Sequence, residues 1–268
     1  MKVGVLGNLN KIKSESVVDE WVQLLQKNGH VACKIGAVNA IDGVDAVIVL
    51  GGDGAILHAA VQASQKGVKI IGVNYGTLGF LAEFEKTERE QVMALLQQLE
   101  DGKCRILKRS ILQLDVAGKT YYALNEVAVH RNQSLSTYKQ SQLLRLEVYS
   151  NEGKYSLSGD GALICTPTGS TAYSLSAGGA ILTPEVPVFM LTPICAFSMR
   201  ARPIVLSENE EFALRLTHGF GVISVDGLSV EALPENATIF IKKAPFTADF
   251  PVSDNQDFFE KVKNKLDE

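Results

Sequence analysis

The stretch from Ala46 to Gly54 constrains the fold more than any other part of the chain. Five apolar residues, Ala46–Leu50, three of them β-branched, predict a short strand that is buried on both faces. Gly51-Gly52-Asp53-Gly54 ends that strand, and the alanine-rich run from Ala55 onward predicts a helix. A strand that turns at once into a helix gathers backbone N–H groups at the helix N-terminus. That geometry suits a phosphate group.

Asp53 is the unusual residue of this glycine loop. Glycines allow a backbone to approach a ligand closely, but a loop that only binds anions has no use for a carboxylate. The carboxylate is useful if it takes a proton from a hydroxyl group or helps to hold a cation. The alternative is a tight turn in which Asp53 caps the helix, since short glycine-rich motifs also occur by chance.

Composition narrows the class of protein. The length of 268 residues is consistent with about two domains. The formal net charge is −4 and no block of Lys or Arg stands out, so neither nucleic acid nor a membrane is an expected partner. The four cysteines are far apart and form no CxxC pair, which predicts reduced thiols and a cytoplasmic protein. The apolar segment at Met1–Gly7 is too short for a signal sequence or a membrane span.

The first part of the chain alternates strands with helices. Residues 1–108 are therefore predicted to form an α/β N-terminal domain with a Rossmann-like parallel sheet. A second glycine-bearing loop, Asn74–Leu81, follows another apolar strand at Val68–Val73. Ligands bind at the carboxyl ends of such strands, where both loops should lie. The predicted strands are Lys2–Leu6, Val31–Ile35, Ala46–Leu50 and Val68–Val73.

The pattern changes after residue 108, and residues 109–243 predict an all-β, antiparallel C-terminal domain. Gly118-Lys119 and Asn151-Glu152-Gly153 look like hairpin turns. A final helix at Asp257–Leu266 is predicted to pack back on the first domain, so that the tail 244–268 joins it. The predicted strands are Ile111–Val116, Thr120–Ala123, Val127–Val129, Leu143–Tyr149, Lys154–Leu157, Ile204–Leu206, Glu211–Leu216, Val222–Val225 and Thr238–Lys242.

Two segments within the β-rich part have the composition of a binding site. Gly159–Gly179 is crowded with hydroxyls and glycines, which suits a neutral polar ligand edge such as adenine or a carboxamide, and Tyr173 adds a stacking face. The alternative is a Ser/Thr-rich connection that caps a helix starting near Thr171. Asn125-Glu126 could hold the two vicinal hydroxyls of a ribose, or could simply be a pair of hairpin residues.

Taken together, these motifs resemble the NAD kinase family. The resemblance rests on Gly51-Gly52-Asp53-Gly54, Asn125-Glu126, the Thr166–Gly179 stretch and Val225-Asp226-Gly227, in this order and at these separations. It covers nearly the whole chain. It implies phosphorylation of NAD to NADP with ATP or polyphosphate as the donor, a divalent cation that we expect to be Mg²⁺, and assembly as a homodimer or homotetramer.

The resemblance also assigns roles to individual residues. Asp53 matches the general base, and Gly51 and Gly52 belong to the phosphate loop. Ser174, in the hydroxyl-rich segment, is also predicted to bind substrate, and no protein ligands for a metal are predicted. Two positions depart from the family pattern, because Ala55 and Leu228 replace polar residues. The residues predicted to bind substrate are Gly54, His58, Phe80, Asn125, Glu126, Asp160, Thr171, Ala172, Tyr173, Ser174 and Ser176.

The expected chemistry follows from these roles. Asp53 would accept the proton of the ribose 2′-hydroxyl as that oxygen attacks phosphorus, while Asn125 and Glu126 select the riboses and the Thr168–Ser176 segment selects adenine. One alternative is a kinase of a lipid or a sugar phosphate, since such kinases share the Gly-Gly-Asp-Gly loop. A lipid kinase should carry an exposed apolar or basic patch, and a sugar-phosphate kinase needs Arg or Lys near the loops. A non-catalytic NAD(P)-binding sensor is the other alternative, and the presence of Asp53 argues against it.

Overall fold

The computed structural model describes residues 1–77, 79–131, 143–253 and 258–266. Leu78 of the second glycine loop and Asp257, the first residue of the predicted final helix, lie outside the described residues. The chain divides into two compact units, one formed by Met1–Arg109 with Phe246–Glu268 and the other by Ser110–Pro245. Among the helices in the described residues, none is long and apolar enough to span a membrane.

The first unit is an α/β structure built on a five-stranded parallel sheet of order β2-β1-β3-β4-β5. This confirms the predicted parallel α/β class. The strands are β1 (Lys2–Gly7), β2 (Val31–Ile35), β3 (Ala46–Gly51), β4 (Lys69–Asn74) and β5 (Phe84–Glu85). The helices are α1 (Leu9–Ile12), α2 (Ser16–Lys27), α3 (Asp53–Ser64), α4 (Arg89–Glu100) and, near the C-terminus, α6 (Phe258–Leu266).

The central strand β3 explains why the glycine loop occupies the middle of this unit. Every residue of β3 is buried, because the strand has neighbours on both sides and apolar side chains on both faces. The strand order reverses between β1 and β3, and ligands of open α/β sheets bind outside the carboxyl ends of the strands at such a point. Gly51 ends β3 and Asn74 ends the adjacent β4 in paired register. The two glycine loops therefore leave the same edge of the sheet.

The second unit contains two six-stranded sheets, of orders β10-β9-β14-β17-β6-β7 and β13-β12-β11-β8-β15-β16. The strand pairs in both sheets are antiparallel, as predicted. Apolar residues from both sheets form one core, for example Leu146 and Leu214 with Ile164 and Phe189. A short helix, α5 (Tyr173–Ser176), follows a 3₁₀ turn at Thr168–Thr171. The strands are β6 (Arg105–Val116), β7 (Lys119–Ala123), β8 (Glu126–Arg131), β9 (Leu144–Ser150), β10 (Gly153–Gly159), β11 (Gly161–Cys165), β12 (Val188–Ile194), β13 (Ile204–Ser207), β14 (Phe212–His218), β15 (Gly221–Val225), β16 (Leu228–Leu233) and β17 (Thr238–Val252).

The register of the second sheet gathers three of the sequence motifs at one end. Glu126 of β8 pairs with Cys165 of β11, and Val127 pairs with Val225 of β15. The segments that adjoin these paired residues are Asn125-Glu126, the hydroxyl-rich stretch and the Asp226-Gly227 turn. Motifs separated by up to a hundred residues in sequence thus become neighbours because antiparallel pairing aligns the strand ends.

Candidate active site

Asp53 opens helix α3, two residues earlier than the sequence pattern predicts. Gly52, which has no side chain, occupies the N-cap position with extended backbone angles. Asp53 is therefore the first helical residue and not the cap, and its carboxylate is directed elsewhere. This geometry is inconsistent with the alternative in which Asp53 serves only as a helix cap.

The second glycine loop holds the Asp53 carboxylate. The backbone N–H of Phe80 donates to Oδ2 at 2.8 Å, and the N–H of Leu81 donates to Oδ1 at 3.0 Å. Gly79 is required for this approach: a Cβ at that position would lie closer than 3.0 Å to all three carboxyl atoms of Asp53. Hydrogen bonds from backbone N–H groups to a carboxylate are charge-assisted and directional, so the loop fixes where the carboxylate points.

Packing within the protein requires glycine at only some of the glycine positions around Asp53. A Cβ on Gly51 would meet the Cβ of Ala55 at 2.7 Å, so close packing requires glycine there. At Gly52 and Gly54 a Cβ would meet no atom within 4 Å, and neither residue has a positive φ. Neither packing nor backbone conformation therefore demands glycine at these two positions. Open space beside the first turn of a helix is what a phosphate group needs in order to reach the backbone N–H groups.

His58 and Phe80 are the other predicted site residues of the first unit. His58 is exposed and follows Gly54 by four residues on α3, so the two lie on one face of the helix. Phe80 is half-buried and its backbone contacts Asp53. Their contacts with substrate remain predictions.

In the second unit, Asp226 organises the Asn125-Glu126 pair. Its carboxylate accepts hydrogen bonds from the backbone N–H groups of Leu124 at 2.9 Å, Asn125 at 2.8 Å and Glu126 at 3.1 Å. Asp226 has a φ of 49°, in the left-handed region that Asp tolerates better than most residues. The sequence motif Val225-Asp226-Gly227 does not predict this role of Asp226, because the amides that it binds lie about a hundred residues earlier in the chain.

Glu126 is a buried carboxyl group with unused hydrogen-bonding capacity. Glu126 is only 5% exposed. Its Oε2 atom has no hydrogen-bond partner within the described part of the chain. Burial and the nearby charge of Asp226 raise the pKa of Glu126 to about 7, although the backbone N–H of Tyr173 lowers that pKa by hydrogen bonding. A buried oxygen without a partner is costly, and a ribose hydroxyl is a donor that would satisfy it.

The hydroxyl-rich segment divides into an internal part and an accessible part. Thr166, Ser170 and Ser174 are buried and bond within the protein, Thr166 to the carbonyl of Leu124 at 2.5 Å and Ser174 to the hydroxyl of Thr192 at 2.8 Å. In the structure the Ser174 hydroxyl bonds to Thr192. The contact between Ser174 and substrate remains a prediction. The predicted residues Thr171 and Ala172 are half-buried, and Tyr173 and Ser176 are exposed.

Close backbone packing joins this segment to the Asn125-Glu126 pair. The N–H of Thr166 donates to the carbonyl of Asn125 at 2.9 Å. A Cβ on Gly169 would collide with backbone atoms of Asn125, so only glycine permits this contact. The structure therefore brings together Asn125, Glu126 and Tyr173, three of the residues predicted to bind the dinucleotide.

Asp160 immediately precedes β11 and forms an ion pair with Arg131. Their side chains are 2.9 Å apart, and the backbone N–H of Arg131 donates to the carbonyl of Asp160 at 2.9 Å. Sequence reasoning missed Arg131, because nothing in the sequence indicates that β8 and β11 are paired neighbours. Asp160 and Cys165 therefore lie at opposite ends of β11.

Comparisons with known proteins agree with this architecture. A family model described as ATP-NAD kinase C-terminal domain matches residues 124–251, and one described as ATP-NAD kinase N-terminal domain matches residues 34–104. A curated NAD kinase from Fusobacterium nucleatum is 33% identical over 271 residues, which cover 99% of this chain and 97% of that protein.

Two solved structures share the fold. Yeast NADH kinase complexed with NADH superposes with a TM-score of 0.86 at 23% identity, over 100% of this chain and 87% of the yeast chain. An NAD kinase from Archaeoglobus fulgidus in complex with ATP gives a TM-score of 0.80 at 22% identity, over 98% and 99% of the two chains. With the full-length similarity to curated relatives, these matches lead to one conclusion: the chain belongs to the NAD kinase family of enzymes.

Proposed function

We propose that this enzyme transfers the γ-phosphoryl group of ATP to the 2′-hydroxyl of the adenosine ribose of NAD, giving NADP and ADP. The observation that carries the proposal is the Asp53 carboxylate, which the second glycine loop fixes beside open space at the start of α3. The family membership selects NAD over lipid or sugar-phosphate acceptors. Retention of Asp53 favours an enzyme over a non-catalytic sensor.

Asp53 acts as the general base in this proposal. The ribose oxygen forms a bond to the γ-phosphorus, the bond from that phosphorus to the β,γ-bridging oxygen breaks, and the hydroxyl proton passes to the carboxylate. An ionised carboxylate has about four lone-pair sites, and the N–H groups of Phe80 and Leu81 use two of them. In the proposal, one of the remaining sites accepts the hydrogen of the substrate hydroxyl. General-base assistance of this kind typically contributes about 10²- to 10⁴-fold.

The N-terminus of α3 would bind the phosphates of the donor. Backbone N–H groups of a helix N-terminus carry a partial positive charge, and Gly52 and Gly54 leave room for close approach. Across residues 1–77, 79–131, 143–253 and 258–266, no group of three or more His, Cys, Asp or Glu side chains is arranged to hold a metal ion. Separately from that finding, we propose MgATP as the substrate, because phosphate oxygens and water are the ligands that Mg²⁺ prefers. The ATP bound in the Archaeoglobus fulgidus structure supports ATP as the donor.

The second unit would select the dinucleotide. Glu126 accepts a ribose hydroxyl at its unpartnered Oε2 atom, and Asn125 supplies both a donor and an acceptor beside it. The exposed ring of Tyr173 offers a stacking face for a base. Asp160, Thr171, Ala172 and Ser176 complete the proposed contacts. The NADH bound to the yeast enzyme supports a dinucleotide as the acceptor.

We further propose a cytoplasmic homodimer or homotetramer. Phe197 and Met199 support assembly, because their side chains are exposed by 79% and 90%, and large apolar side chains grouped on a surface mark interaction sites. Light scattering over a concentration series would return a monomer mass at every concentration if assembly does not occur.

A direct assay tests the proposed reaction. Purified protein is incubated with MgATP and NAD, and NADP is detected with an NADP-specific dehydrogenase. Parallel reactions replace NAD with diacylglycerol or fructose 6-phosphate and measure ADP. NADP formation with NAD alone supports the proposal, whereas turnover only with a lipid or sugar phosphate would overturn it.

A further inference from the structure

The loop that holds Asp53 is itself held by the C-terminal tail. Immediately after the two amides that bind Asp53, the carbonyl of Ala82 accepts a hydrogen bond from Lys261 Nζ at 3.2 Å. Lys261 lies on helix α6, 179 residues further along the chain. The same ammonium group is 3.6 Å from Glu83 Oε2. One lysine thus contacts two successive residues of the segment that follows Leu81.

Glu83 is anchored a second time by Ser253, the residue that follows β17. Its Oε1 atom accepts hydrogen bonds from the backbone N–H of Ser253 at 3.0 Å and from the Ser253 hydroxyl at 2.9 Å. The side chain of Glu83 is 6% exposed and that of Lys261 is 21% exposed. Bonds in such a protected position are screened little by solvent, so they restrain the loop more than a surface ion pair would.

Buried charge links this tail contact to Asp53. Arg109 is 6% exposed, and burial lowers its pKa to about 10 against the opposing attraction of Asp53 and Glu83. Burial also lowers the pKa of Lys261, and the positive charge of Arg109 lowers it further. The negative charges of Glu83 and Asp53 raise the pKa of Lys261 and so oppose that change. The charges of Asp53, Glu83, Arg109 and Lys261 therefore influence one another within the first unit.

We propose that Lys261 is a positioning residue for Asp53: it clamps Ala82 and Glu83, and so fixes the Phe80 and Leu81 amides that orient the carboxylate. This proposal rests on the proposed role of Asp53 as general base. In this proposal the C-terminal helix α6 supports the catalytic loop from the side of Ala82 and Glu83.

The kinetic test compares Lys261→Met with two other variants. Methionine keeps much of the apolar side-chain length and removes the ammonium group. We expect kcat to fall about 10- to 100-fold, the order of loss that follows a displacement of about 1 Å, while the KM values for NAD and ATP change less than about twofold. Lys261→Arg retains a charged donor and should restore most of kcat. Lys263→Met, at an exposed position of the same helix, is the matched control and should behave as wild type.

A double-mutant cycle separates positioning from general stability. If Lys261 acts through Asp53, adding Lys261→Met to Asp53→Asn should reduce kcat no further than Asp53→Asn alone, because coupled residues are not additive. Additive losses would overturn the proposal. Equal loss of kcat in Lys261→Met and Lys263→Met would overturn it as well.

Amide hydrogen exchange gives a readout that does not depend on NAD kinase activity. Lys261→Met should accelerate exchange at the Phe80 and Leu81 amides, while helices α2 and α4 stay protected and Lys263→Met shows no change. Unchanged protection of those two amides would overturn the positioning proposal even in an active enzyme. If Lys261→Met accelerates exchange at these amides but the wild-type protein makes no NADP, the positioning role holds and the proposed function fails.

Discussion

Replacing Gly79 with alanine perturbs the orientation of Asp53 without touching Asp53 itself. The backbone of Gly79 does not have a positive φ, so alanine introduces no backbone strain there. Its methyl group, however, would lie 2.6 Å from Asp53 Oδ2 and closer than 3.0 Å to the other carboxyl atoms, where ordinary contacts begin at 3.4 Å. The carboxylate, or the loop that holds it, must therefore shift by roughly 1 Å, a displacement that can cost about 10²-fold in rate.

The same shift affects stability by a smaller and separate amount. Weakening two hydrogen bonds to a charged group costs roughly 3 kcal/mol, since each is worth about 1.5–3 kcal/mol, and the loss of chain entropy in the unfolded alanine variant returns up to about 1 kcal/mol. We expect Gly79→Ala to be folded but about 2 kcal/mol less stable in urea unfolding, with kcat reduced about 10²-fold.

The matched control lies in the same loop. A Cβ on Gly76 would meet nothing closer than 3.7 Å, so Gly76→Ala should keep near-normal kcat in the NADP-forming assay. A folded Gly79→Ala enzyme whose kcat stays within about threefold of wild type would refute the claim that this loop positions a catalytic carboxylate.

Two further predictions concern ligand approach and pH. Gly54→Ala should retain or gain stability, by up to about 1 kcal/mol because alanine favours a helix, yet lose activity if phosphate must approach Gly54; full activity in a stabilised variant would contradict this. Burial holds the pKa of Glu126 at about 7 in the folded protein, above its value of 4.5 in the unfolded chain. Protonation of Glu126 therefore stabilises the folded state, fully below pH 4.5, and this stabilisation is lost as the pH rises through 7. Glu126→Gln should therefore gain up to about 3 kcal/mol in unfolding free energy relative to wild type between pH 5 and 8. Calorimetry should also show wild-type NAD affinity rising about tenfold from pH 6 to 8, as Glu126 ionises, and no such rise in Glu126→Gln; equal pH dependence in both proteins would contradict the ribose contact.

The fold class could be predicted because hydrophobic patterns are local. The apolar run at Ala46–Leu50 matches strand β3, and the turn predicted at Gly118-Lys119 lies one residue earlier, at Ala117-Gly118. The predicted strands do not include β5, β11, β12 or β16, and for β11 and β12 the reason is physical. Gly161–Cys165 is buried throughout and therefore shows no alternation, and Pro187 and Pro193 make Val188–Ile194 look unlike a paired strand.

The geometry of the site could not be predicted, because it depends on contacts between distant residues. Sequence motifs identified Asp53 and Glu126, but not the bonds that hold them. The two amides that bind the Asp53 carboxylate belong to residues 27 and 28 positions later in the sequence. The three amides that bind the Asp226 carboxylate belong to residues 100–102 positions earlier. Such pairs follow from sheet order and register, which a single sequence leaves open.

Asp53→Asn tests the central claim most directly. Asparagine is nearly isosteric but cannot take up the proton, so kcat in the NADP-forming assay should fall by about 10²-fold or more. The NAD dissociation constant measured by calorimetry should change little, because the proposed ribose and adenine contacts belong to residues 125–176. Near-normal turnover of the folded Asn variant would contradict the account and leave the enzyme without its proposed base.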